Sequence, residues 1–169
     1  GLIKTDSEIH GIILKGVDKD YNWGYINSNL ASGEIPQYTD DKRSNDVVVS
    51  KIIADKLLLN IGDDVRIWFV GDDMKTRGRK FTIKGIYETG LTECDERFIY
   101  CDLNQIRRLN GWEKDYVGHL EITLNDNIDV EEANNYIYYS IPTYLISYTA
   151  RELYPHIFDW LDLQDMNVV

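Results

Sequence analysis

The stretch VVVSKIIADKLLLNIGDDVRIWFV, residues 47–70, decides the fold because its hydrophobic period changes twice within one passage. Three consecutive valines predict a buried strand, and Ser50 then stands where a side-chain oxygen would cap the first amides of a helix. The helix KIIADKLLL carries apolar residues on one side and is stopped by NIGDD. The alternation in VRIWFV predicts a second strand. The passage therefore predicts a strand, a helix and a strand in succession.

A hairpin is predicted next. GDDMKTRGR (71–79) is a polar loop, and KFTIKGIYE (80–88) returns as a strand beside residues 65–70. RFIYC (97–101) predicts a further strand. Asp102 and Gln105 then match a capping box that opens a short helix. Residues 47–103 therefore form one predicted cassette of strands and helices.

The segment EIHGIILKGVD (8–18) predicts a buried strand, and no predicted strand precedes it that could pair with it. Strands are also predicted at 119–124 and 143–148, around the helix VEEANNYIYY, and we expect 8–18 to join their sheet. The polar residues 21–46 are typical of a crossing between subdomains. The predicted fold class is α+β, with two subdomains.

The end of the chain predicts a helix. Thr149 and Glu152 match another capping box, and Pro155 lies inside the run, where it would remove a backbone donor and kink the helix. The run becomes apolar at Val168 and Val169. We expect a membrane helix to begin there in the whole protein, and a strand and a helix to precede Gly1.

Composition excludes several classes of function. The 169 residues carry a formal net charge of −11, which repels a phosphate backbone, so nucleic acid is not an expected partner. No apolar run approaches the roughly 20 residues that span a bilayer, and the fragment is expected to be soluble. Cys94 and Cys101 are expected to be free thiols, since a disulfide would need a tight reversal between them.

Sequence motifs for catalysis are absent: there is no H-E-x-x-H, G-x-S-x-G, C-x-x-C or P-loop. Asp63-Asp64 and Asp72-Asp73 are more typical of solvated turns than of an acid/base pair. LNDNIDVEE (124–132) lacks the central glycine and final glutamate of a calcium loop. We therefore expect no enzyme activity, metal or cofactor. The alternative is a free-standing, hydrolase-like enzyme that uses the Asp-rich turns and His119.

The hairpin loop concentrates positive charge on an acidic chain, with Lys75, Arg77, Arg79 and Lys80 close together and Met74 at the tip. One interpretation is that these charges protect a sheet edge from unwanted pairing. The other is that the tip contacts a partner. The predicted partner-binding residues are Met74, Lys75, Arg77 and Arg79.

Four stretches resemble the extracytoplasmic region of LolC/LolE-type permeases, which belong with MacB and FtsX among the ABC transporters that transmit motion across a membrane. The resemblance is distributed and covers nearly the whole chain. The stretches are ILKGVD, VVVSKIIADKLLLNIGDDVRIWFV, KFTIKGIYETGLTECDERFIYCDL with its K-G-I-Y-E-T-G-x-x-x-x-D pattern, and the terminal DWLDLQDMN.

The resemblance implies a domain between the first and second membrane helices. Its porter-like subdomain would comprise 1–46 and 113–155 and be truncated at the N-terminus. A β-rich, sabre-like subdomain would be inserted at 47–112, and 156–169 would lead to the missing membrane segment.

The resemblance also implies a function: coupling ATP hydrolysis by a separate ATPase subunit to lipoprotein release from the inner membrane, beside a partner permease and towards a periplasmic chaperone. An efflux or signalling permease of the MacB/FtsX type is the alternative. In lipoprotein-releasing relatives the hairpin can carry a longer, proline-containing hook that grasps the chaperone. Here the loop is short and has no proline, which departs from that pattern.

Overall fold

The structure, a computed structural model, describes residues 1–4, 9–70 and 74–166. The chain divides into two compact units, Gly1–Val117 and Gly118–Val169. In the described part of the first unit the strands are β1 (Leu2–Lys4), β2 (Ile9–Gly11), β3 (Ile13–Val17), β4 (Leu30–Gly33), β5 (Asp46–Ser50), β6 (Asp64–Val70), β7 (Thr76–Tyr87) and β8 (Phe98–Asp102). Its helices are α1 (Gly24–Ser28), α2 (Lys51–Leu57), α3 (Thr92–Asp95) and α4 (Leu103–Asn110).

The eight strands form one mixed sheet in the order β2-β1-β6-β7-β5-β8-β3, with β4 also paired to β7. The β5–β7 and β3–β8 pairs are parallel and the others antiparallel. A sheet with separate helices agrees with the predicted α+β class, which is confirmed. Strands from residues 1–33 and from residues 46–102 share this sheet. The division into porter-like and sabre-like subdomains stays a prediction.

One face of the sheet, called here the helix face, holds the main core. Alternate strand residues such as Ile67, Phe81 and Ile99 are fully buried there, against Ile53 and Leu57 of α2. Helix α4 packs near β3 because Gly16 has no side chain, and a Cβ at that position would lie 2.4 Å from Ile106. The helix face is therefore covered by the two helices that follow β5 and β8.

The opposite face, called here the open face, carries a second core cluster over β5, β8 and the end of β7. Val48 and Tyr87 pack there against Ile26 of α1, with Trp23 and Tyr100 partly buried beside them. The segment predicted as a crossing thus forms α1 and β4 and serves as this cover. Its burial comes from aromatic side chains, which have a large apolar area to remove from water.

Two predicted caps are confirmed, and one capping box is not formed. Ser50 accepts a hydrogen bond from the Ile53 amide and begins α2. Asp102 begins α4, but the Gln105 side chain donates to the Ser44 carbonyl at 2.7 Å instead of closing the box. The Asp102 carboxylate also accepts from the Ser44 amide, so both residues tie the segment before β5 to α4.

The second unit is helical in its described part. Its helices are α5 (Val130–Ser140), α6 (Ala150–Leu153) and α7 (Pro155–Met166). Thr149 and Glu152 form the predicted capping box. Pro155 divides the predicted C-terminal helix in two and begins α7, because proline lacks the amide that an uninterrupted helix needs. The apolar residues 168 and 169 lie outside the described residues.

The predicted partner of the early strand is wrong. Ile13–Val17 pairs in parallel with Phe98–Asp102, within the first unit. Residues 119–124 and 143–148 are not strands in the described part of the second unit, where Leu120 and Ile122 are 78% and 61% exposed. An alternating pattern indicates a half-buried strand but does not specify its partner. In the structure β8 supplies the backbone hydrogen bonds that β3 needs.

Both cysteines carry free thiols, Cys101 fully buried and Cys94 half-buried. Burial raises the pKa of the Cys101 thiol well above its usual value and also raises the pKa of Cys94. Neither thiol is therefore activated as a thiolate at neutral pH.

Candidate partner-binding surface

The β6–β7 hairpin holds the predicted partner-binding residues. Its two strands pair in register from Asp64 opposite Thr82 to Val70 opposite Thr76. At the turn, Met74 has a left-handed backbone with φ of 58° and is 83% exposed. Residues 71–73, which include the predicted Asp72-Asp73 turn, lie outside the described residues.

The structure separates the four predicted residues. Met74 and Lys75 lie exposed at the turn. Arg77 and Arg79 lie on β7, opposite Phe69 and Ile67, and therefore on the helix face. Their alternation with the buried Phe81 is visible in the sequence, so a strict period of two, continued into the loop, could have placed them there.

The two arginines contact the backbone. The Arg77 Nη1 donates to the Leu109 carbonyl at the end of α4, over 3.5 Å. The Arg79 Nη1 donates to the Gly78 carbonyl at 3.1 Å, while the buried Arg79 Nε has no hydrogen-bond partner in the described residues. Both guanidinium groups therefore belong to the side of the hairpin that faces α4.

An open groove of about 330 Å³ adjoins Arg77. It lies between β3, the end of β6 and α4, and its lining is mostly apolar. Lining side chains include Leu14, Phe69, Ile106 and Leu109. The groove therefore offers apolar contact area with a single cationic side chain, rather than a set of converging polar groups.

The sequence analysis missed the opposite face of the hairpin. There the ring of Trp68 lies across Gly78, so that a Cβ on Gly78 would be 2.9 Å from the ring. The Arg66 guanidinium stacks 5.7 Å from the Trp68 ring centre. The W in VRIWFV and the glycine in TRGRK were readable signals, but only the register brings them opposite each other.

Ion pairing continues along this face. Lys80 and Asp64 lie 2.7 Å apart, and the Thr82 hydroxyl donates to the same carboxylate at 2.9 Å. The hydrogen bonds from Lys80 and Thr82 lower the pKa of Asp64 below its usual value. Asp64 is therefore an ionised part of the strand pair, not a proton donor or acceptor poised near neutral pH.

The alternative enzyme site is not assembled. The His119 Nε2 lies 3.6 Å from a Glu121 oxygen, with 70% of the histidine side chain exposed. Asp63 accepts a hydrogen bond from the Asn60 amide within its own turn. Neither Asp63 nor Asp64 lines the groove of the first unit. Within the described ranges, no group of three His, Cys, Asp or Glu residues is placed to hold a metal ion.

Across the part of the chain that the structure describes, no helix is both long enough and apolar enough to cross a bilayer.

Comparison with known proteins gives one family. The profile of the MacB-like periplasmic core domain matches residues 3–137, which is most of the chain and includes the whole hairpin. No curated protein matches the sequence.

Proposed function

The chain belongs to the family of MacB-like periplasmic core domains, and we propose that it acts as the non-catalytic periplasmic domain of a permease that releases lipoproteins from the inner membrane. In this proposal a separate subunit hydrolyses ATP, and the domain transmits the resulting motion to the cargo. The observation that carries the ABC permease context is the family match over residues 3–137.

The LolC/LolE-type resemblance supports lipoprotein release over efflux or signalling. Its K-G-I-Y-E-T-G-x-x-x-x-D pattern falls on the end of β7 and the turn after it. In that turn the buried Asp95 carboxylate accepts hydrogen bonds from the Thr89 amide and hydroxyl and from the Gly90 amide. The pattern therefore has a structural reason: these residues build one turn, and relatives that share the pattern would share it.

The absence of catalysis is part of the proposal. Its support is the solvent exposure of the His119–Glu121 pair and the lack of nucleotide-binding motifs in the sequence. We expect the isolated chain to show no ATP turnover. Turnover that grows with the concentration of the pure chain would overturn this part.

Reconstitution tests the cargo. The full-length permease, with its ATPase and partner permease, is placed in liposomes with an acylated lipoprotein and a soluble lipoprotein chaperone outside. We expect ATP-dependent transfer of the lipoprotein to the chaperone. A hydrolysis-deficient ATPase subunit is the control. ATP-driven movement of a small drug without lipoprotein transfer would contradict lipoprotein release and favour the efflux alternative.

We also propose that the hairpin tip contacts an acidic partner protein. Met74 and Lys75 support this by their exposure at the turn, and Arg77 and Arg79 add positive charge close behind. The short loop without proline favours a transient electrostatic contact over a grasping hook.

A further inference from the structure

On the open face, β2, β1, β6 and the first part of β7 form a continuous surface that we call the platform. Cross-strand register places Gly11, Leu2, Trp68 and Gly78 in one row across β2, β1, β6 and β7. Because side chains alternate along each strand, every second residue from this row points to the same side. The apolar and charged side chains of the platform are Leu2, Lys4, Ile9, Asp64, Arg66, Trp68, Val70 and Lys80.

None of the described residues of the first unit covers the platform. Over β5, β8 and the end of β7, by contrast, the open face is covered by α1 and its flanking aromatics, with Ile26 only 3% exposed. On the platform Ile9 is 68% exposed, Val70 60% and Leu2 44%. A Cβ on Gly11 would meet no atom within 4 Å. Three aliphatic side chains of the platform are therefore exposed to solvent.

Trp68 provides a rigid centre for this surface. Its ring lies against the Gly78 backbone on one side, in the position where a side chain would otherwise stand. The guanidinium of Arg66 stacks beside it. Tryptophan and arginine are the residues most enriched among those that dominate binding energy at protein interfaces. A held indole ring loses little freedom when a partner binds, which favours recognition.

The sign of the charge indicates the partner. The open faces of β1, β2, β6 and β7 carry three cations, Lys4, Arg66 and Lys80, and one carboxylate, Asp64, within the described residues. The chain as a whole carries −11. An anionic bilayer would meet the repulsion of the whole molecule, whereas a short acidic segment would meet mainly the local cations within about 10 Å.

We propose that the platform binds an acidic, amphipathic segment of a partner protein, with apolar side chains on Trp68, Ile9 and Val70 and carboxylates on Lys4, Arg66 and Lys80. The proposal rests on the proposed contact with an acidic partner, and it moves the main binding energy from the tip to the open face. Arg77 and Arg79, on the other face, are not part of this surface.

A peptide titration tests the platform in the full chain. The probe is a peptide of about ten residues that repeats two valines and two glutamates, so that each face of the extended peptide presents both residue types. Binding is followed by isothermal titration calorimetry for every variant and, where Trp68 is present, also by its indole N–H resonance, assigned with Trp68→Phe. We expect saturable binding that Arg66→Glu with Lys80→Glu weakens by about tenfold or more, and that Trp68→Ala weakens similarly.

Matched controls separate the outcomes. Lys42→Glu with Lys56→Glu makes the same change of net charge at exposed sites elsewhere and should leave binding within about twofold. Arg66→Gln with Lys80→Gln serves if the reversed pair fails to fold. A lysine counterpart of the peptide should not bind.

Three results would overturn the platform proposal. In the first, the platform variants bind the peptide as tightly as the parent protein does. In the second, the parent binds phosphatidylglycerol vesicles and not the peptide. In the third, the parent self-associates with rising concentration and the same variants abolish this association. The peptide titration contains no lipoprotein or ATPase. A negative titration would therefore contradict the platform proposal and not lipoprotein release, and a negative reconstitution would contradict lipoprotein release and not the platform.

Discussion

At the scale of single residues, Asp95 shows how a buried charge can be structural. The side chain is 1% exposed and its oxygens lie 2.7–3.2 Å from three donors in residues 89 and 90. Its own carbonyl accepts a short hydrogen bond from the Ser50 hydroxyl, which also caps α2. One acidic residue thus connects the turn after β7 to the start of α2, and catalysis is not needed to explain it.

Asp95→Ala should lower the free energy of unfolding by about 1–3 kcal/mol, because three partly buried donors in residues 89 and 90 would lose their acceptor. Denaturant unfolding followed by tryptophan fluorescence measures the change. Glu96→Ala, at the exposed neighbour, should stay within about 0.5 kcal/mol. A loss below about 1 kcal/mol for Asp95→Ala would mean that water replaces the carboxylate.

At the scale of elements, α2 shows a conflict between sequence and backbone. The helix ends at Leu57, and Leu58 takes a left-handed conformation with φ of 55° and ψ of 43°. Glycine is the usual residue at such a position because it has no Cβ to clash. Leu58 is 84% exposed, so its side chain contributes little burial in return. The helix is therefore stopped earlier than the predicted run of leucines indicates.

Leu58→Gly should raise the free energy of unfolding by roughly 0.5–1 kcal/mol, since it removes the left-handed strain at little cost in packing. Thermal and denaturant unfolding of the two proteins measures the difference. Lys56→Gly, inside the same helix, should lower stability by about 1 kcal/mol. Equal destabilisation by both glycines would show that the Leu58 conformation carries no strain.

At the scale of the whole molecule, charge of opposite signs is unevenly distributed. Asp and Glu number 29 against 18 Lys and Arg, yet the hairpin carries Lys75, Arg77 and Arg79 near its turn. Steering acts over about a Debye length, so charges on both faces of a narrow hairpin contribute to it. Steering by the tip and binding by the platform are therefore separable properties.

Reversing Lys75, Arg77 and Arg79 to Glu should slow association with an acidic lipoprotein chaperone by about tenfold at low ionic strength, and much less at high salt. Stopped-flow measurement of the association rate at several salt concentrations tests this. The matched control reverses Lys42, Lys56 and Arg97, which are exposed elsewhere. Equal rates for the parent and the hairpin variant at low salt would leave the loop only as a protected edge.

The sequence by itself determined the features that short-range physics fixes. The Ser50 cap, the β6–β7 hairpin and the Thr149–Glu152 capping box all depend on residues that are close in the chain. Hydrogen-bonded caps and two-residue alternation need no knowledge of distant partners. The α+β class follows from these elements, and it was predicted correctly.

Only the tertiary structure decided which distant segments meet. It paired Ile13–Val17 with Phe98–Asp102 instead of with residues 119–124, because a strand accepts any edge that satisfies its hydrogen bonds and buries its apolar side. It likewise brought Leu2 into the row of Trp68 and Ile9 into a neighbouring row, while it turned Arg77 and Arg79 to the other face. Surfaces of this kind arise from register between strands, and register is set by the burial of the whole sheet.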